Sequence, residues 1–190
     1  TVMRFLLAGL ILSLSFGSAQ AALNTESLPA GAVGIVSMDI TTFRDSKVGQ
    51  AIEKLASMKA KDLEASRKLS DKLGIDSKKD LQDLVVALYP GPDGKVAEKN
   101  ASAVVLIRGK FVPTTIDAFG ASNGITAKTV GKHKAWEAGA FIEKLTGEKP
   151  KDGAKDAYVV AHSESLMIVA SKEFLERALA SPDRREKSAL

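Results

Sequence analysis

The chain has 190 residues, of which 45% are hydrophobic and 26% charged, which is ordinary for a globular protein of one domain or two small lobes. Its formal net charge of +4 is too small and too dispersed to indicate a polyanionic partner. The chain contains no cysteine, which excludes disulfides, thiol catalysis, thiolate metal sites and the lipid-anchored start of a bacterial lipoprotein.

The first 21 residues have the layout of a cleavable secretory signal. Arg4 precedes an apolar run from Phe5 to Phe16, and Ala19-Gln20-Ala21 supplies the small residues of a cleavage site. The run has 12 residues, whereas a transmembrane helix needs roughly 20. We therefore predict an exported protein, periplasmic or secreted, that begins near Ala22 and has no integral membrane span after cleavage.

Residues 22–130 are predicted to form a first structural unit. The short apolar segment Val33 to Met38 predicts a buried strand, the first and a central one, and a helix begins near Ser46 and continues, as one helix or two in tandem, to Gly74. Further elements are predicted as strands over 84–89 and 103–111, a loop from Pro90, a helix from Pro113 to Gly124 and a strand over 125–130. This βαββαβ order is the ferredoxin-like build, an antiparallel sheet with two helices on one face.

Residues 131–182 repeat this order without its last strand. Gly131-Lys132 predicts a tight hairpin, and the elements after it are predicted as a strand over 133–138, a helix over 140–145, strands over 156–162 and 166–170, and a helix over 172–180. Ser181-Pro182 ends that helix, and 183–190 form a short charged tail. The predicted fold is therefore α+β, a ferredoxin-like βαββαβ unit followed by an incomplete βαββα unit, with helices packed on one face of an antiparallel sheet.

A resemblance to known proteins rests on four features of the chain. They are Leu28-Pro29-Ala30-Gly31, the strand Val33 to Asp39, the helix start Val48-Gly49-Gln50, and the strand pair 158–161 and 166–170. In this pattern the chain resembles a group of exported bacterial proteins of unknown function. The resemblance implies a periplasmic or secreted protein of ferredoxin-like architecture, and it carries over no active-site residue. Members of the group tend to continue with further strands, which implies that this chain is truncated.

Two histidines and a serine-containing turn are the candidates for chemistry. His133 and His162 lie at strand ends, and without cysteine they cannot complete the three or four ligands of a zinc site unless carboxylates join them. The stretch His162-Ser163-Glu164-Ser165 holds hydrolase residue types, but four consecutive residues cannot normally align a nucleophile, a base and an acid. We therefore predict a hairpin turn, and we assign no catalytic, metal-binding or cofactor-binding residue and no cofactor.

The segment Arg108 to Val112 begins like the third-strand signature of the RNA-recognition module, which shares the ferredoxin-like build. Lys110, however, occupies the first position where a stacking aromatic is needed, and Pro113 ends the strand early. An export signal also directs the chain away from most RNA. No nucleic-acid partner is therefore predicted.

The predicted core comes from the apolar strand segments. Trp136, the sole tryptophan, is expected to anchor it, with an exposed recognition role as the alternative. The segment Leu166 to Ala170 is apolar on both faces, which predicts a strand covered on both sides. The residues expected in buried strands are Val33, Ile35, Val86, Leu88, Val105, Ile107, Val160 and Ile168.

Elimination favours a non-enzymatic envelope or extracellular binding or scaffold module that acts through its sheet face or its long helix. Its partner would be an unknown protein or envelope component. The alternative is a secreted or periplasmic hydrolase whose carboxylates, Asp39 with a later acid, converge only in the folded chain. Because the second unit lacks its last strand, its sheet is predicted to end unpaired, so that the chain either forms a homodimer through that edge or is a fragment of a longer protein.

Overall fold

The computed structural model describes residues 28–51, 67–68, 70–90, 102–147, 149 and 156–180. Outside these residues lie the predicted signal, most of the loop after Pro90, the tail 183–190 and the middle of the helix predicted from Ser46 to Gly74. The strands are β1 Gly34–Asp39, β2 Leu81–Tyr89, β3 Ser102–Gly109, β4 Ala127–Val130, β5 His133–Glu137, β6 Ala157–Ala161 and β7 Leu166–Ser171. The helices are α1 Ile40–Asp45, α2 Pro113–Ser122 and α3 Ala138–Thr146, and residues 47–51, 70–73 and 175–180 are also helical.

The described strands form one seven-stranded sheet in the order β1-β2-β3-β7-β6-β5-β4, and every neighbouring pair is antiparallel. β3 and β7 meet at the centre, where Leu106 lies opposite Ile168. The triplets β1-β2-β3 and β5-β6-β7 meet at this central pair, and each has a helix between its first and second strands. The fold is therefore α+β with an approximate internal repeat of strands.

The ferredoxin-like βαββαβ unit predicted for 22–130 is not confirmed. In the sheet, β1 pairs directly with β2, and β4 pairs with β5 rather than with a strand of the first unit. The two-residue hairpin at Gly131 and Lys132, where Gly131 has a φ of 58°, brings β4 against β5 as predicted. That local hairpin gives β4 its partner, which a ferredoxin-like unit would have supplied from β1.

Two predictions about sheet position were wrong. β1 is an outer strand and not a central one, and the second unit does not end unpaired, because β7 pairs with β3 and β6 while β4 covers the outer side of β5. The expected covering of β7 is confirmed. Its Leu166, Ile168 and Ala170 are buried on one face, and Met167 and Val169 are half-buried on the other.

Buried apolar side chains lie on both faces of the sheet. The first face carries Val85, Leu106, Ile168 and Val160, which the strand register places side by side. Leu175 from helical residues 175–180 packs into the same cluster. At this end of the cluster, Tyr89 stacks on Phe174 at 4.3 Å between ring centroids and donates its hydroxyl hydrogen to the Pro29 carbonyl at 2.9 Å.

The second face is covered by α2 and α3. Val159 and Trp136 lie opposite each other in β6 and β5 and pack with Phe119 of α2 and Phe141 of α3. The two phenylalanine rings meet edge to face at 5.0 Å. The expectation of helices on one face only is therefore wrong, because helical residues 175–180 pack on the first face while α2 and α3 pack on the second.

Lysines from the helical residues before Gly74 hold the end of α3. Lys68 Nζ donates to the Thr146 carbonyl at 2.8 Å, and Lys72 Nζ donates to the Lys144 carbonyl at 2.7 Å. Cations at a helix C-terminus satisfy its last carbonyls and complement its dipole. These contacts fix the first triplet's helical segment against the helix of the second triplet.

Of the eight residues predicted to be buried, two are buried, four are half-buried and two are exposed. Val160 and Ile168 are fully buried and Trp136 is 4% exposed, as predicted. Val33 and Ile35 were predicted to be buried, but they are 56% and 39% exposed because β1 has no described neighbour on its outer side. The remaining four residues are half-buried, namely Val86, Leu88, Val105 and Ile107.

Candidate functional site

A line of polar side chains crosses one end of the first face. The register places Asp39 opposite Asp83, Asp83 opposite Arg108, and Arg108 opposite Leu166. Next to Leu166 lies His162, whose amide donates to the Leu166 carbonyl at 2.9 Å. The His162 ring stacks on His133 at 4.6 Å between centroids. We call Asp39, Asp83, Arg108, His162 and His133 the polar row.

Asp39 begins the polar row and also caps α1. One carboxylate oxygen, Oδ1, accepts the Thr42 amide hydrogen at 2.8 Å, and Oδ2 accepts the Thr42 hydroxyl hydrogen at 2.9 Å. The backbone hydrogen bond from Thr42 and then the hydroxyl bond lower the pKa of Asp39, because both favour the charged carboxylate. Asp39 is therefore an ionised helix cap that fixes the end of β1.

Asp83 is the later acid that the hydrolase alternative requires, because the register places it opposite Asp39. Two carboxylates directly opposite each other are unfavourable, and Arg108 offsets this from the far side, with Nη1 3.3 Å from Asp83 Oδ2. An acid–base pair needs one carboxyl that carries a proton and one that does not. Here Thr42 and Arg108 already contact the two carboxylates, so the geometry supports a structural role.

The two histidines form the other end of the polar row. His133 begins β5 and His162 follows β6 directly, as the strand-end prediction required. Both Nε2 atoms are shielded from solvent. Among the described residues, no group of three or more His, Asp or Glu side chains could hold a metal ion. The stacking was not predicted, because it depends on the pairing of β5 with β6, which are separated in the chain by α3.

The turn at 163–165 joins β6 to β7 and contacts β3, which confirms the predicted hairpin turn. The carbonyls of Ser165 and Glu164 accept hydrogen bonds from the amides of Gly109 and Phe111 at 3.1 and 2.8 Å. The serine hydroxyl oxygens of Ser163 and Ser165 lie 3.3 Å apart. The carbonyl contacts connect the turn to the end of β3, and the serine contact joins two residues within the turn. Both are expected of a structural loop.

The two outer strands of the sheet differ in charge and length. β4 has four residues including the exposed Lys128, and its hairpin adds the exposed Lys132 and Lys134. β1 has six residues and carries no charge before Asp39. Ile35, on the first face, is 39% exposed, and Val33, just before the strand, is 56% exposed. Lysine on an outer strand discourages the addition of another strand. Among the described strands, the β1 edge, defined as Val33 to Asp39, is therefore the outer edge that lacks this lysine.

Hydrogen bonds from α1 hold the Asp39 end of the β1 edge. Besides the Asp39 cap, Arg44 Nη2 of α1 lies 3.4 Å from the carbonyls of Ser77 and Leu81, which lead into β2. α1 thus bridges the end of β1 and the start of β2. A partner strand at this edge would meet a preorganised template, which lowers the entropic cost of binding.

No protein-family model matches the chain, and comparisons with curated proteins and with solved structures found no significant match. Within the part of the chain that the structure describes, no helix combines the length and apolarity required to cross a bilayer. Fold and site define an α+β protein without cysteine, in which the described strands form a seven-stranded antiparallel sheet with lysine on the outer strand β4 and none on the outer strand β1.

Proposed function

We propose that the protein is an exported, non-enzymatic binding module that adds an extended segment of a partner polypeptide to the β1 edge. The observation that carries this proposal is the contrast between the two edges of one sheet, since only β4 bears lysine. In strand addition, main-chain hydrogen bonds supply affinity, and pockets for alternate side chains supply specificity.

The side chains of the β1 edge support this mode of binding. Ile35 lies on the first face, opposite the buried Ala87, and Val33 just before the strand is also exposed. The exposed apolar surface of both residues would be covered by the side chains of an added strand. Asp39 carries a negative charge at the end of the edge, which disfavours a partner strand with an acidic residue opposite it. The partner is an extended polypeptide segment, apolar at alternate positions.

The proposed place of action rests on residues 1–21. Their layout is that of a secretory signal, so the partner would be a periplasmic, envelope or extracellular protein. The resemblance to exported bacterial proteins of unknown function and the predicted location belong to the same proposal.

A peptide-binding measurement tests the proposed function. The probe is a fluorescein-labelled peptide of alternating valine and threonine flanked by lysine, and the readout is fluorescence anisotropy. The original chain and the matched control Thr129→Lys on β4 should bind the probe equally. Ile35→Lys should weaken binding by about tenfold or more, because it places a cation on the pairing edge. Equal binding by all three proteins, or no binding to the original chain, would refute the proposal.

A further inference from the structure

We infer that the strand taken up at the β1 edge is β1 of a second copy, so that two chains form a two-fold dimer with one continuous antiparallel sheet. The inference rests on the proposed function, because it uses the same edge and names its partner. A two-fold contact requires a surface that complements itself. The residues of the β1 edge meet that requirement.

The register of such a pair follows from the geometry of antiparallel strands. Directly opposed residues either both point their N–H and C=O groups at the partner or both point them away. In two copies of one strand, opposed residues must therefore be an even number of positions apart, and the two-fold axis passes through one residue. An axis at Val36 pairs Gly34 to Met38 with the same segment of the other copy. The pairs are then Val36 with Val36, Ile35 with Ser37, and Gly34 with Met38. Val33 adds no hydrogen bond across the pair, because its amide already donates to the Leu88 carbonyl of β2.

Charge favours this pairing over pairing through β4. With the axis at Val36, the two Asp39 side chains lie at opposite ends of the paired strands, about 20 Å apart at 3.4 Å per residue. That distance exceeds the screening length of about 8 Å in physiological salt, so their repulsion is small. Pairing two copies through β4 would instead gather Lys128, Lys132 and Lys134 of both chains in a small area.

The exposed apolar surface of β1 also favours pairing of two copies through the β1 edge. Ile35 of one copy becomes the diagonal neighbour of Ile35 of the other on the first face, where it is now 39% exposed. Because a single strand pair makes an interface at the small end of the known range, below about 1,200 Å², we expect a dimer that exchanges readily with monomer. The association should therefore depend on protein concentration.

Sedimentation velocity over a wide concentration range tests the inference. The original chain and the control Thr129→Lys should shift from monomer to dimer as concentration rises, whereas Ile35→Lys should remain monomeric. Ser37→Lys, at a second exposed position of the same edge, should give the same result, and circular dichroism establishes that each variant folds. A monomeric original chain at every concentration, or equal dimerisation of all variants, would overturn the inference.

The absence of cysteine permits a second and more local test. A single cysteine introduced by Ile35→Cys, Val36→Cys or Ser37→Cys would be the only thiol in the chain. Disulfide dimers should form fastest for the residue on the axis, where opposed Cα atoms of paired strands lie about 4.5–5.5 Å apart, within disulfide range. Thr129→Cys on β4 is the control and should remain uncrosslinked. Crosslinking at the same rate in all four variants would count against the pairing.

The tests distinguish failure of this inference from failure of the proposed function. A chain that binds the valine–threonine peptide but never dimerises would retain the binding edge and refute the second copy as its partner. A monomer in which the β1 amides that do not bond to β2 are protected from hydrogen exchange would also overturn the inference, because another segment of the same chain would then cover the edge.

Discussion

The indole N–H of Trp136 donates a hydrogen bond to Asp117 Oδ1 at 2.9 Å and thereby connects β5 to α2. The ring beneath this bond is buried in the cluster on the second face. Buried tryptophan requires a partner for its N–H, and α2 supplies one from the helix turn that also carries Gly120. Trp136 therefore determines how closely α2 approaches the sheet.

Gly120→Ala is expected to destabilise the protein although alanine is the better helix former. A Cβ atom at position 120 would lie in conflict with the six-membered part of the Trp136 ring. Overpacking of this kind costs about 1–3 kcal/mol, which exceeds the gain of about 0.5–1 kcal/mol from replacing glycine in a helix. Urea unfolding measures the difference. In a Trp136→Leu background the same change should cost less, and an undiminished cost there would contradict the proposed contact.

Neighbouring residues of β3 should differ in their contribution to stability, because they lie on different faces. Leu106→Ala removes a fully buried side chain and should cost about 2–5 kcal/mol. Ile107→Ala removes a half-buried side chain at the border of the second cluster and should cost less. Urea unfolding of both variants gives the order, and a larger loss for Ile107→Ala would contradict the deeper burial of Leu106.

The sequence predicted the elements better than their arrangement, because the element signals are local. Pro113 begins α2 and the Gly131-Lys132 turn joins β4 to β5, as residue types alone indicated. Strand order depends on contacts between distant segments. The apolar segment Val33 to Met38 has the composition of a central strand, and no local signal distinguishes it from the outer strand that it forms.

The candidate site was less accessible to prediction for the same reason. Asp39 was identified as a candidate acid, but its partner could be found only through the register that brings Asp83 opposite. The importance of the β1 edge depends on which strands are outermost. Once that is known, the presence of lysine in β4 and its absence from β1 can be read from the sequence directly.

Cleavage of the signal is a separate prediction that rests on residues 1–21. The exported protein should begin near Ala22, because Ala19 and Ala21 are the small residues that a signal peptidase reads. Expression with export followed by N-terminal sequencing measures the start. Retention of Met3 to Phe16 in the exported protein would contradict both the cleavage and the predicted location.

The contribution of Asp39 to stability should depend on pH. Its hydrogen bonds from Thr42 lower its pKa in the folded chain below the ordinary value of 3.8, so its stabilising effect is complete above that value and is lost as the pH falls through the folded-state pKa. At pH 7, Asp39→Ala should cost about 0.5–2 kcal/mol, as loss of a helix cap does. Thr42→Val keeps the amide donor and should cost less than Asp39→Ala. Urea unfolding from neutral pH downward should show the difference between Asp39→Ala and the original chain closing below the ordinary pKa. A difference that stays constant to the lowest pH would show that the charge of Asp39 adds nothing to the cap.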